Sequence, residues 1–180
     1  MQRTLLLLAV ALPASSAIAC PGLPDRSAEL EALFEAARAA PNEMAGREVS
    51  NQMWAIWTTA PDEVAQSMLT RGMTARRYGD FLGAIAAFDD LVAYCPDYPE
   101  GYNQRAFIHY LSGGFEAANA DLQATLALNP DHVGALSGLA LTLIALGRAE
   151  EAQEWLRQAL ALNPWIPERG LLDGPLEEEL

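Results

Sequence analysis

The five residues LALNP occupy Leu126–Pro130 and return unchanged as Leu160–Pro164, 34 positions later. Other positions keep the same period. Pro96, Pro130 and Pro164 form one column, and Gly79, Gly113 and Gly147 another. Ala84, Ala118 and Ala152 are in phase, as are Phe88, Leu122 and Leu156. So are the small residues Gly72, Ala106 and Ala140, and the large ones Met68, Tyr102 and Leu136. Val92, Leu126 and Leu160 complete the set. A composition rich in alanine and leucine does not account for columns of glycine and proline. The period is therefore a structural unit.

Each column has a physical task. Proline has no N–H and pushes its predecessor out of helical geometry, so the proline column ends a helix. The glycine column breaks the chain at mid-repeat, where it turns tightly after a helix. Between the breaks lie segments of about 14 residues with apolar positions at helical spacing. Each unit is thus two antiparallel helices. The small residues let the two approach, and the large ones fill the space between neighbouring units. The expected pairs are Asp62–Arg77 with Phe81–Tyr94, Tyr98–Ser112 with Phe115–Leu128, and His132–Leu146 with Ala149–Leu162.

This pattern resembles the tetratricopeptide repeat family in period and in the order of its small, aromatic and proline positions. The resemblance covers residues 62–164 as three full repeats. It departs where no tryptophan opens a first helix and where Thr125 replaces a small alanine. It implies an all-α solenoid of helical hairpins. Upstream, Ala28–Ala40 and Glu43–Thr58 also read as helices, broken at Pro41. Thirty-four positions before the columns, Ser50 falls under the alanines and Trp54 under Phe88. Residues 20–61 are therefore expected to be a degenerate pair capping the stack, with Trp54 and Trp57 sealing its core; the alternative for the two tryptophans is a ligand-facing aromatic patch. Trp165 and Ile166 are expected to fold back on the last pair, ahead of an acidic tail in residues 165–180.

The chain begins with Arg3, the apolar run LLLLAVAL, Pro13 and ASSAIA. A basic start, a short apolar run and an A-x-A pattern make residues 1–19 a secretory signal, cut after Ala17 or Ala19. The run is too short to span a bilayer. The expected location is the periplasm. Two cysteines follow, Cys20 and Cys95. An oxidising compartment permits a Cys20–Cys95 disulfide. The alternatives are a lipidated Cys20, which would anchor the chain to a membrane, and two free thiols.

All 11 basic residues are arginine, against 24 acids, for a net charge of −13. Such a balance argues against nucleic acid or an anionic lipid surface as partner. No serine stands in a nucleophile elbow, and no glycine run could cradle phosphate. Neither histidine has a second ligand at i+3 or i+4, so no metal or cofactor is expected and no enzymatic activity is assigned. His109 shares a column with Ala75 and Leu143 and is expected in the core. Asp131 reads as a helix cap and His132 as its surface neighbour. Asp89 and Asp90 read as a solvated face.

What remains is the concave side, lined by first helices. The resemblance implies that this side grips an extended peptide or a helix of a protein partner. Counting by phase offers Thr70, Met73 and Arg77 from the first repeat, then Asn103, Gln104, Phe107 and Tyr110. The third repeat offers Ser137, Leu141 and Ile144. The family's basic clamp on a carboxyl terminus is not expected, because the third repeat supplies no basic residue there. A partner segment with apolar side chains, bonded to the amides of Asn103 and Gln104, fits better. An open edge after the third repeat would permit self-association.

Overall fold

A computed structural model describes residues 20–173. The expected signal, residues 1–19, and the tail after residue 173 lie outside the described residues. The helices are α1 (Ser27–Ala39), α2 (Glu43–Trp57), α3 (Glu63–Arg77) and α4 (Phe81–Tyr94). They are followed by α5 (Pro99–Leu111), α6 (Phe115–Leu128), α7 (Val133–Ala145) and α8 (Ala149–Leu162). A short 3-10 turn at Pro167–Leu171 comes last. The fold is an all-helical solenoid of hairpins.

Local chemistry sets the helix ends. Asn42, Asp62 and Asp80 each accept a backbone N–H of the first turn that follows them, satisfying a donor with no partner inside the helix. Gly79, Gly113 and Gly147 have φ of 76°, 77° and 76°, the left-handed geometry that closes a helix. α3 packs on α4, α5 on α6 and α7 on α8, while α4–α5 and α6–α7 contacts join neighbouring pairs. The small columns work as expected. A Cβ on Gly72 would sit 2.4 Å from the ring of Phe88, and Ala106, Ala118 and Ala152 are fully enclosed. Thr125, the family's departure, keeps its hydroxyl satisfied by donating to the Asp121 carbonyl at 2.9 Å.

The N-terminal hairpin exists, but its placement corrects the expectation. It does not stack before α3 as a fourth pair, and α2 does not lie alongside α3. It crosses the stack instead. Midway along α2, Ser50 Oγ accepts from Asn163 Nδ2 at 2.8 Å, beyond α8. At the C-terminal end of α2, the Trp57 carbonyl accepts from the Tyr98 hydroxyl at 2.6 Å, ahead of α5. α1 packs on α8, and Trp165 Nε1 donates to the Ala37 carbonyl at 3.0 Å. Phe34, Met53 and Trp57 join the same core as Leu136, Leu156 and Ile166. Burying large side chains of this kind stabilises by roughly 1.5–3 kcal/mol each, so the hairpin is integral to the fold. Gly46 makes the docking possible, because a Cβ there would lie 2.1 Å from Trp165 Cγ.

Two further expectations change with it. The edge after the third repeat is not open, since α1 and the segment from Trp165 onward cover it. The most exposed large apolar side chains are Tyr78 (82%) and Leu82 (83%) on the first repeat and Met44 (80%) on α2. Cys20 and Cys95 meet in disulfide geometry with Cα atoms 5.1 Å apart. The start of the described chain is thereby placed against the end of α4.

Candidate functional site

The concave face carries a cavity of about 440 Å³. α5 contributes Asn103, Gln104, Phe107 and Tyr110 to it, and α7 contributes Gly134, Gly138, Leu141 and Thr142. Arg76 enters from the end of α3, and Trp54 closes one side from α2. Five of the ten residues expected from helical phase are thus brought together: Asn103, Gln104, Phe107, Tyr110 and Leu141.

The other five are not. Thr70 and Arg77 are exposed on α3 outside the cavity, and Met73 packs half-buried against the core of the first repeat. Ser137 is buried and donates to the Gly134 carbonyl. Ile144 lies at the exposed end of α7. On α5 the phase-counted residues line the cavity, whereas on α3 Arg76 rather than Arg77 does. Trp54 was expected to seal a separate core. It became a wall of the cavity because α2 crosses the stack.

A buried polar chain runs behind the cavity. Arg76 Nη1 donates to Gln104 Oε1 at 2.7 Å. Gln104 Nε2 donates to Glu100 Oε1 at 2.5 Å, and Asn103 Nδ2 to Glu100 Oε2 at 3.1 Å. His132 Nε2 meets the same Oε2 at 3.0 Å, while His132 Nδ1 accepts the Ala135 N–H. That pair of contacts fixes the neutral tautomer with its proton on Nε2. Glu100 is 1% exposed and His132 fully enclosed, and each satisfies the other. This corrects one expectation: the amide donors of Asn103 and Gln104 serve Glu100 and do not wait for a partner segment.

The histidines exchange the roles expected for them. His132 is the core residue and, in place of Asp131, the cap of α7. Its ring stacks on Trp57. His109 is only partly buried, with its side chain 24% exposed and Nε2 3.9 Å from Asp121 Oδ2. Asp121 is held mainly by a two-point bond from Arg105, and these hydrogen bonds raise the Arg105 pKa despite partial burial. Asp89 and Asp90 do point apart, to Arg105 and Arg71.

Electrostatically, the cavity is an apolar space with one cation. Burial lowers the Arg76 pKa; the Glu100 charge opposes that shift, and Arg77 adds to it. The Arg76 guanidinium lies 5.2 Å above the centre of the Phe107 ring, an attractive arrangement. Among the described residues, no carboxylate stands within ion-pair distance of Arg76. A larger cavity, about 590 Å³, lies between α1, Trp57 and the start of α5. Its buried acid and base, Glu100 and His132, already bond each other. Among the described residues, no group of three or more histidine, cysteine or acidic side chains could hold a metal.

The tetratricopeptide repeat family model matches residues 109–164. A TPR repeat-containing protein of Rhizobium etli is 37% identical over 60 residues, covering 33% of this chain and 29% of that protein. The chain therefore spans under a third of that relative's length. Two solved structures share the fold. The first TPR of Spaghetti (RPAP3), bound to the HSP90 peptide SRMEEVD, superposes with a TM-score of 0.57 at 24% identity. That match covers 59% of this chain and 91% of the other. The TPR2B domain of yeast Sti1, in complex with an Hsp70 peptide, gives 0.56 at 22% identity over 59% and 89%.

Proposed function

Because the chain is a tetratricopeptide repeat protein, we propose that it works as an exported interaction module that holds a segment of a partner protein on its concave face. The observation that carries this reading is the cavity between α5 and α7. It combines the exposed ring of Phe107 with Tyr110, Leu141 and the half-buried cation of Arg76. Exposed aromatic surface in a concave site favours recognition of apolar side chains. The chemistry is that of holding a segment, and we assign no catalytic role.

Export is part of the proposal. The arrangement of residues 1–19 and the meeting of Cys20 with Cys95 both suit an oxidising envelope compartment. A bonded Cys20 would leave no thiol for a lipid, which favours an adaptor or assembly factor that works free of the membrane.

Affinity capture from detergent-solubilised envelope, with intact mass read on the same sample, tests both parts. A partner captured by the wild type and lost from Phe107→Ala, with an unchanged thermal melt, is the expected result. Capture that ignores Phe107→Ala and Tyr110→Ala removes the concave-face reading. Acyl chains on Cys20 would replace the adaptor with an anchored envelope component.

A further inference from the structure

We propose that the cavity is an anchor pocket for one aromatic side chain of the partner segment, walled by Trp54 and floored by the glycines of α7. This rests on the concave-face reading above and makes it specific. A solenoid face is usually an open channel that reads many residues shallowly. Here α2 crosses it, and Trp54 turns the channel into a recess of about 440 Å³. That volume lies within the range of ligand cavities, so a large side chain enters it whole together with the groups beside it.

The lining favours a ring, since Trp54, Phe107 and Tyr110 offer aromatic faces and edges to it. Phe107 forms one side, with Arg76 above its face. Tyr110 is held by the tilted ring of Phe115, 5.5 Å away. Gly134 and Gly138, one turn apart on α7, also line it and present backbone alone. Glycine in a helix interior is unfavourable relative to alanine, which bears on Gly138; Gly134 is the second residue of α7, in its first turn. Gly138 has a packing reason, since a Cβ there would press on Leu122 at 3.2 Å. Gly134 has none of that kind: its Cβ would meet only the His132 ring, at the ordinary distance of 3.4 Å. Its lack of a side chain keeps the recess deep.

Arg76 adds direction. Its guanidinium has five N–H donors, and Gln104 takes one. The partner's aromatic residue therefore brings an acceptor oxygen beside the ring, either a main-chain carbonyl or a carboxylate. Trp54, Gly134 and Arg76 are the residues that set specificity.

The test uses the whole exported protein labelled with 5-fluorotryptophan, its Trp54 resonance assigned by Trp54→Phe. The probes are 3-phenylpropionate, 3-phenylpropionamide and butyrate. Both phenyl compounds are expected to shift the Trp54 signal saturably, and butyrate to leave it in place. Tighter binding of the propionate identifies a carboxylate, and equal binding identifies a carbonyl. Gly134→Leu should weaken the phenyl probes about ten-fold or more, the scale of a filled apolar pocket. Gly134→Ala should weaken them less and raise the melting temperature, so that loss of fold does not explain loss of binding. A Trp54 signal that ignores both phenyl compounds, or affinities equal in wild type and both Gly134 variants, overturns the pocket. If Phe107→Ala still releases the captured partner in that event, only the pocket falls. If it does not, the concave-face reading falls with it.

Discussion

The indole of Trp57 lies stacked on the imidazole of His132, with ring centres 4.2 Å apart and 21° between the planes. The first residue ends α2, and the second caps α7. The contact joins the N-terminal hairpin to the third repeat, and His132 also holds Glu100. One side chain thus serves a helix end, a buried acid and a docked element.

Replacing His132 should therefore be severe. His132→Ala removes the α7 cap and leaves the Glu100 carboxylate buried without one of its donors. Loss of a cap costs about 1 kcal/mol, and breaking a buried charged hydrogen-bond partner roughly 3 kcal/mol more. The expected outcome in urea unfolding is a loss of about 3–4 kcal/mol. A loss under 1 kcal/mol would show that the buried chain from Arg76 to His132 carries little weight.

Gly46→Ala tests the hairpin's seat. The added methyl would overlap Trp165, and overpacking of this kind costs about 1–3 kcal/mol. Hydrogen exchange across residues 43–57 should speed up, with α4 and α6 unaffected. Gly22→Ala, which meets nothing within 4 Å, is the matched control.

The cysteine pair gives a third outcome. With both residues changed to serine, the closed loop, 75 residues in sequence separation, opens. The chain-entropy account sets the loss of stability at up to about 4 kcal/mol. Thermal melts of the wild type with and without reductant should differ in the same direction as the double variant. Equal melts, with a mass that shows both thiols free, would remove the bond.

Asp62 predicts a pH effect. Its carboxylate accepts the Ala65 N–H and the Tyr94 hydroxyl. These bonds, the backbone one first, hold its pKa below the ordinary 3.8. A depressed native pKa means stability that is present above the unfolded value and lost as pH falls through the native one. Asp62→Asn should thus lower stability at neutral pH, where the carboxylate is charged, and match the wild type at the acid end, so that the acid limb below about pH 4 is flatter. An acid limb identical in both proteins would contradict the assignment.

The repeat was legible because its signals are local. Phe81–Tyr94, Phe115–Leu128 and Ala149–Leu162 were bounded correctly by a glycine before and a proline after, each acting within a few residues. The hairpin's position was not legible. Ser50 meets Asn163 across 113 positions, and no period of 34 encodes such a contact. Placing Trp54 on the cavity required that long-range fact. The two histidines were misassigned for a related reason. A column states which helical face a residue shares, whereas His132 lies ahead of its helix and is drawn inward by Glu100 and Trp57. The pair Gly134 and Gly138 was the one unused local signal, since two glycines in one helix ask for an explanation.

The crossing of α2 changes how the molecule comes apart. An array of stacked hairpins ordinarily unravels from its ends, because each unit leans only on its neighbours. In this chain the hairpin before the first repeat grips the residues after the last, so the α8 end of the array is not loose. The array becomes a closed buckle. Its repeats should melt together in a single sharp transition, and its folding should wait on contacts between distant parts of the chain. A further repeat added after α8 would have to unfasten that buckle before it could stack.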